Sequence, residues 1–244
     1  MRLLVVNPNT TRSMTEKIGA AARAVAGPST EIIAVNPDSG PVSIEGYFDE
    51  AFAVPGLIEE MRKAGPVDAT IIACFDDTGL DAARSFSPTP VIGIGEAAFH
   101  LASLLAGKFS VVTTLSRSVP AIEHNLVRYG LMSRCARVRA SDVAVLDLEI
   151  PGSPARGRIS REIDRAIQED AAEAIVLGCA GMADLAAALA LEHGLPVLDG
   201  VAAAVKLAES LVALGLRTSK RGGYAAPRPK IYAGAFAPFA PAAE

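Results

Sequence analysis

The chain of 244 residues predicts an α/β fold of two similar lobes. Three observations carry this. Short apolar runs alternate with helix-period stretches, one segment resembles another about a hundred residues later, and each of those segments has a cysteine where its strand runs out.

The apolar runs are LLVVN (3–7), EIIAVN (31–36), ATIIACF (69–75), PVIGIG (90–95), FSVVTT (109–114), EAIVLGC (173–179) and PVLDG (196–200). Each is too short for a helix and rich in aliphatic residues without strict alternation, which predicts strands buried on both faces of parallel sheets. Parallel neighbours need crossover connections, and apolar residues at helical spacing supply them over Met14–Ala26, Glu96–Leu105, Ser118–Tyr129, Ser160–Asp170 and Val201–Leu214.

DATIIACFDDTGLDAARSFSPTPVIGIGEAA, from Asp68, aligns with EAIVLGCAGMADLAAALALEHGLPVLDGVAAA, from Glu173. An acidic residue stands six positions before each cysteine, Cys74 and Cys179, and a proline follows 16 and 17 positions later. A second pair, LLVVNPNTTRSMTEKI and FSVVTTLSRSVPAIEHNL, shares a strand that ends in polar residues before a helix. The chain thus reads as a first lobe of residues 1–96 plus 208–244 and a second lobe of 97–207. The last stretch, RTSKRGGYAAPRPKIYAGAFAPFAPAAE, has neither period and reads as an extended arm or partly disordered tail without chemistry.

Half the residues are apolar, a fifth are charged and the net charge is −4. That balance offers nucleic acid and anionic lipid little attraction. MRLLVV is too short for a signal-peptide core, and no apolar run approaches the roughly 18 residues of a membrane span, so a cytoplasmic protein with no membrane partner is expected. Helices rich in Ala and Leu point to a homo-oligomer. Three cysteines without CxxC or a nearby histidine favour neither a disulfide framework nor a metal site, and no cofactor is expected.

Ligands in open α/β sheets bind beyond the carboxyl ends of strands, where Cys74 and Cys179 both lie. Facing lobes would bring the two thiols to opposite sides of one small molecule, whereas Cys135 has no repeat partner and reads as structural. Redox chemistry would want adjacent sulfurs. Nucleophilic catalysis would want a histidine base, and His100, His124 and His193 fall away from the cysteine turns. Proton transfer on two opposite faces remains, one thiolate removing a proton from carbon and the other thiol returning one, with inversion of a stereocentre. A helix N-terminus and turn amides would lower the thiol pKa toward neutrality. Backbone amides of Phe75–Gly79 and Ala180–Met182 would hold the developing enolate oxygen, with Gly178 and Gly181 allowing close approach. Asn9, Thr78 and Thr114 are candidate side-chain donors, or simply helix caps.

VNPNT, SIEGYFDEA, ACFDDTGLDAAR, VIGIGEAA, VVTTL, VLGCAGMADL and PVLDGVAAAVKLAE together resemble the hydantoin racemases of the aspartate/glutamate/hydantoin racemase superfamily, to which the allantoin racemases are similar. The resemblance spans almost the whole chain. It implies two pseudo-symmetric α/β lobes and a cofactor-independent two-base racemase in which Cys74 and Cys179 match the catalytic pair.

The cysteine turns offer no Lys or Arg for an α-carboxylate, and Asp76 and Asp77 would repel one unless turned away, so a neutral cyclic ureide fits better. Tyr47 and Phe48, in SIEGYFDE, are candidates for the pocket of the C5 substituent, or else loop core. A decarboxylase or isomerase of the same superfamily, or a non-catalytic binder of small ligands, are the competing functions.

Overall fold

A computed structural model describes residues 1–241. The first sheet holds β1 (Arg2–Val6), β2 (Glu31–Val35), β3 (Ala69–Ile72) and β4 (Val91–Gly93), ordered β2-β1-β3-β4. The second holds β5 (Phe109–Thr113), β6 (Cys135–Ala140), β7 (Ala174–Gly178) and β8 (Val197–Asp199), ordered β6-β5-β7-β8. All pairings are parallel. The identical order in the two sheets is the duplication read from the cysteine-bearing segments.

Eight α-helices join the strands among the described residues: α1 (Arg12–Val25), α2 (Tyr47–Lys63), α3 (Leu80–Phe86), α4 (Ile94–Leu105), α5 (Val119–Arg128), α6 (Ala155–Asp170), α7 (Ala186–His193) and α8 (Gly200–Ala213). Strand alternation sorts the core. Leu3 and Val5 face one way, with Ile71, Val111 and Val176, and join a cluster that spans both lobes around Phe99. Leu4, Val6 and Ile72 face the other way, under Leu57 and Met61 of α2. Val112, Ile175 and Leu177 do the same under Ile159 and Ile163 of α6. Both sheets are therefore covered twice, which is why their strands read as continuous apolar runs.

The lobes are locked by exchanged helices. After leaving the first sheet, α4 packs on β7 of the second; after leaving the second, α8 packs on β3 and β4 of the first, and the two helices lie against each other. Their N-termini meet where a side chain at Gly200 would stand 2.5 Å from the Ile94 carbonyl oxygen. Phe99 of α4 stacks on Phe109 at 6.1 Å and meets Phe75 edge-on at 5.3 Å, so one ring bridges the two strand systems.

Several elements differ from expectation. SIEGYFDE is not a loop throughout: Tyr47 opens α2, a helix of 17 residues with Pro55 inside it. CARVRA is a strand although it alternates with arginine, because buried Arg139 is ion-paired to Asp170 at 2.6 Å and to Glu169 at 2.7 Å. The C-terminal segment, by contrast, is the expected arm, with 3-10 turns at Gly222–Tyr224 and Gly234–Phe239, and it docks on the first lobe: the Thr218 amide donates to Pro88 O at 3.2 Å, Lys220 to Arg84 O at 2.6 Å, and the Tyr224 hydroxyl to Asp81 at 2.9 Å.

The contact at Gly200 has no slack. Gly200→Ala is expected to lower unfolding stability by about 1–3 kcal/mol in urea titration, through overpacking at the lobe junction. Gly157→Ala on α6, where the nearest atom to a new methyl is the flexible end of Arg161, should instead stabilise by about 0.5–1 kcal/mol.

Candidate active site

The ends of β1, β3, β5 and β7 converge between the lobes on a small cavity of about 40 Å³. Cys74, two residues beyond β3, and Cys179, the first residue after β7, both line it. Asn9, Phe75, Thr114, Gly178 and Ala180 line it as well, so seven of the residues singled out from sequence share one cavity.

The two cysteine turns are built alike. The carbonyl of Cys74 accepts the Asp77 amide at 3.0 Å, and that of Cys179 accepts the Met182 amide at 3.1 Å, each three residues on. The amide two residues on, that of Asp76 for Cys74 and of Gly181 for Cys179, favours the thiolate in each turn. This leaves the first amide of each turn, at Phe75 and Ala180, without an acceptor among the described residues. The expectation that the whole turn would hold an enolate oxygen therefore fails at Asp77 and Met182, whose amides are spent within the turns, and stays open at Phe75 and Ala180.

Each turn is also braced by the opposite lobe. α1 packs against the 3-10 turn Ala180–Leu185 that follows Cys179. From α5, Asn125 Nδ2 donates to the Asp76 carbonyl at 2.8 Å. Each thiol is thus positioned by both copies of the repeat.

The remaining predicted residues divide. The Thr78 hydroxyl lies 3.2 Å from Cys74 Sγ, so it serves the thiol rather than the cavity. Gly181 likewise contributes its amide to sulfur instead of lining the space. Asn9 spends its side-chain oxygen on the Thr11 amide at 2.9 Å and on Asn7, while its Nδ2 faces only the Met14 sulfur at 3.3 Å. The buried Thr114 hydroxyl donates to no group among the described residues. Tyr47 is exposed, outside the cavity wall, with its hydroxyl 3.2 Å from His124 Nδ1. Phe48 is exposed too, its ring tilted against that of Phe52 at 5.0 Å. None of the three histidines lines the cavity: His124 meets the Tyr47 hydroxyl, and His193 is held by Ser160 and Asp164.

Asn7, Met14, Ile44, Ala73, Asp76, Ser118 and Val145 complete the lining. Asn7 and Ser118 follow β1 and β5, where the strand-end rule already points. Ile44 and Val145 come from loops brought together by the fold: Glu45 accepts the Val145 amide at 3.2 Å, and Lys17 holds Leu148 O at 3.0 Å and Glu149 at 2.9 Å.

Electrostatics separate the two aspartates of the first turn. Asp77 points away and accepts the Gly95 amide at 2.9 Å, the Glu96 amide at 2.8 Å and the Tyr129 hydroxyl at 2.7 Å. It caps α4 from outside, in space left by Gly93, where the second lobe has Asp199 capping α8 directly. Burial still pushes the Asp77 carboxyl up to about 7, with these three donors pulling it down. Asp76 faces the cavity, and burial together with Glu50 and Asp77 pushes its carboxyl up to about 8.

Burial also raises both thiols rather than lowering them. Cys74 is held well above its ordinary value by desolvation and by Asp76. Cys179 is pushed up to about 12 by desolvation, against the Gly181 amide. The short helix ends do not offset the loss of water in the closed cavity.

With this geometry in hand, the Asp/Glu/Hydantoin racemase family model matches residues 3–208. The chain belongs to the Asp/Glu/hydantoin racemase family. Within it, a hydantoin racemase of Pseudomonas sp. (strain NS671) is 47% identical over 241 residues, covering 98% of this chain and 97% of that protein. The solved allantoin racemase of Klebsiella pneumoniae superposes with a TM-score of 0.95 at 51% identity, over 99% of both chains. That of Pseudomonas fluorescens gives 0.93 at 48% identity, over 96% of this chain and 100% of the other. These racemases share the two-lobed frame at full length.

The raised Asp76 carboxyl has a consequence for stability. The folded state holds this proton more tightly than the unfolded chain, whose value is near 3.8, so wild type loses stability as pH rises from about 4 to about 8. Asp76→Asn is expected to gain melting temperature relative to wild type across that interval and to level off outside it. A difference independent of pH between 4 and 9 would contradict the assignment.

Proposed function

We propose that the protein is a racemase that inverts C5 of 5-substituted hydantoins by a cofactor-independent transfer between two thiols. The observation that carries this is the pair of like-built turns presenting Cys74 and Cys179 to one cavity from the two halves of a duplicated fold. Its relatives, named hydantoin racemase and allantoin racemase, support the substrate class. Allantoin is itself a 5-ureidohydantoin and is the leading natural substrate.

The C5 hydrogen lies between a carbonyl and an amide nitrogen. One cysteine, as thiolate, takes this proton; charge moves to the C4 oxygen; the other cysteine, as thiol, delivers a proton to the opposite face. The reverse reaction exchanges their roles. Such a cycle needs one thiolate and one thiol at a time, and the burial that raises both thiols disfavours ionising the pair together. The Thr78 hydroxyl and the Asp76 amide steady the Cys74 thiolate, and the Gly181 amide steadies that of Cys179. The free amides of Phe75 and Ala180 are donors for the enolate oxygen.

At about 40 Å³ the cavity admits a few waters but not a substituted ring. Entry therefore requires the Ile44 and Val145 loops to part, releasing the Glu45 and Lys17 contacts, and their return excludes water from the carbanion.

Deuterium exchange at C5 in D2O, followed from each enantiomer with chelator present, tests the two-base assignment. Cys74→Ser and Cys179→Ser should each abolish net racemisation, and each should lose exchange from one enantiomer by about 100-fold or more while sparing the other. Equal residual exchange from both enantiomers in either variant would refute it.

A further inference from the structure

We propose that Asp76 reads the substrate ring: its carboxyl pairs with the N3–H and the C4 carbonyl of a hydantoin, one hydrogen bond in each direction. This deepens the racemase reading above and rests on it.

Asp76 lines the cavity with 9% of its surface exposed, yet neither carboxyl oxygen meets a donor among the described residues. Buried carboxyl groups in folded proteins ordinarily find partners, so this one is arranged for a group that arrives later. It shares the cavity lining with both sulfurs, and its charge raises Cys74 and Cys179 alike. Its backbone is fixed by Asn125 on its carbonyl, and its side chain is part of the cavity lining. Asp77, by contrast, is consumed at the start of α4 and has nothing left for a ligand.

Glu50, in the first turn of α2, adds the second half of the argument. Its Oε1 is buried without a hydrogen-bond partner, and its charge acts on Asp76. Two carboxyl groups in one poorly hydrated place retain a proton between them, so near neutrality Asp76 presents one donor and one acceptor. A ring edge carrying N–H beside C=O is the complement of that pattern. The C4 oxygen gains charge as C5 loses its proton, so the bond from Asp76 strengthens along the reaction. An α-carboxylate offers two acceptors and a negative charge to the same spot and is rejected by both. Asp76 is thus a specificity residue that touches substrate, distinct from the two bases.

The test compares wild type, Asp76→Asn and Asp76→Leu on 5-benzylhydantoin and its 1-methyl and 3-methyl derivatives. Binding of 5,5-dimethylhydantoin and its 3-methyl derivative is followed in parallel by calorimetry, because these ligands have no C5 hydrogen. Wild type should disfavour the 3-methyl ring by about 100-fold in kcat/KM, and the 1-methyl ring far less. Asn keeps a donor and an acceptor, and should retain kcat/KM within about tenfold together with the 3-methyl penalty. Leu should lose about 100-fold on the parent ring and show almost no 3-methyl penalty. Asp76→Ala serves in its place if melting shows that the Leu variant is unfolded. An unchanged 3-methyl penalty in the Leu or Ala variant, or a larger penalty for the 1-methyl ring, overturns the proposal. Wild type that binds 5,5-dimethylhydantoin with the 3-methyl penalty but racemises no hydantoin and no allantoin would defeat the racemase reading while leaving ring recognition by Asp76 standing.

Discussion

The exchange of α4 and α8 between the lobes is the constraint on which the rest of the molecule depends. Each helix follows the last strand of its own sheet and then covers part of the other, and their starts touch at Gly200 and Ile94. With that contact made, the carboxyl ends of both sheets are held face to face, and the cysteine turns fall on opposite sides of one cavity. The core around Phe99 belongs to both lobes at once, so the geometry between the thiols is set by packing rather than by a flexible link.

Near-symmetry does not make the two sides alike. The Cys74 turn carries two aspartates, one spent on α4 and one facing the cavity, whereas the Cys179 turn carries only small and apolar residues, Ala180, Gly181 and Met182. Acidity is thereby concentrated on one wall, beside Cys74 and Glu50. A ligand between the thiols meets a polar edge on that side and an apolar, backbone-lined surface on the other, which orients an asymmetric ring without any lysine or arginine in the turns.

Much of this was legible in the residues. The alternation of strand and helix, the repeat, the placing of both cysteines at strand ends and the presence of Asn9 and Thr114 at the cavity all follow from local chemistry that the fold respects. Elements hidden from the sequence are those whose character is set by distant partners. CARVRA looks too charged for a covered strand until Asp170 and Glu169 arrive from α6 to pair with Arg139. Pro55 obscures α2, and Tyr47, read as a pocket residue, is turned outward by the helix that it begins. The separate fates of Asp76 and Asp77 depend on Gly93, sixteen residues on, which makes room for one and not the other. The thiol pKa values ran opposite to the local helix-end argument because water exclusion is a property of the closed fold, not of the turn.

The reciprocal helices also bear on ancestry. A single lobe lacks one of the helices that cover its inner sheet face, so a chain of that size would complete its core by pairing with a second copy of itself. Such a homodimer would have carried identical thiols about a true twofold axis, suited to treating mirror-image substrates evenly. Within one chain each half is free to change alone, and the cap supplied by Asp77 in one half and by Asp199 in the other shows the two sides built differently.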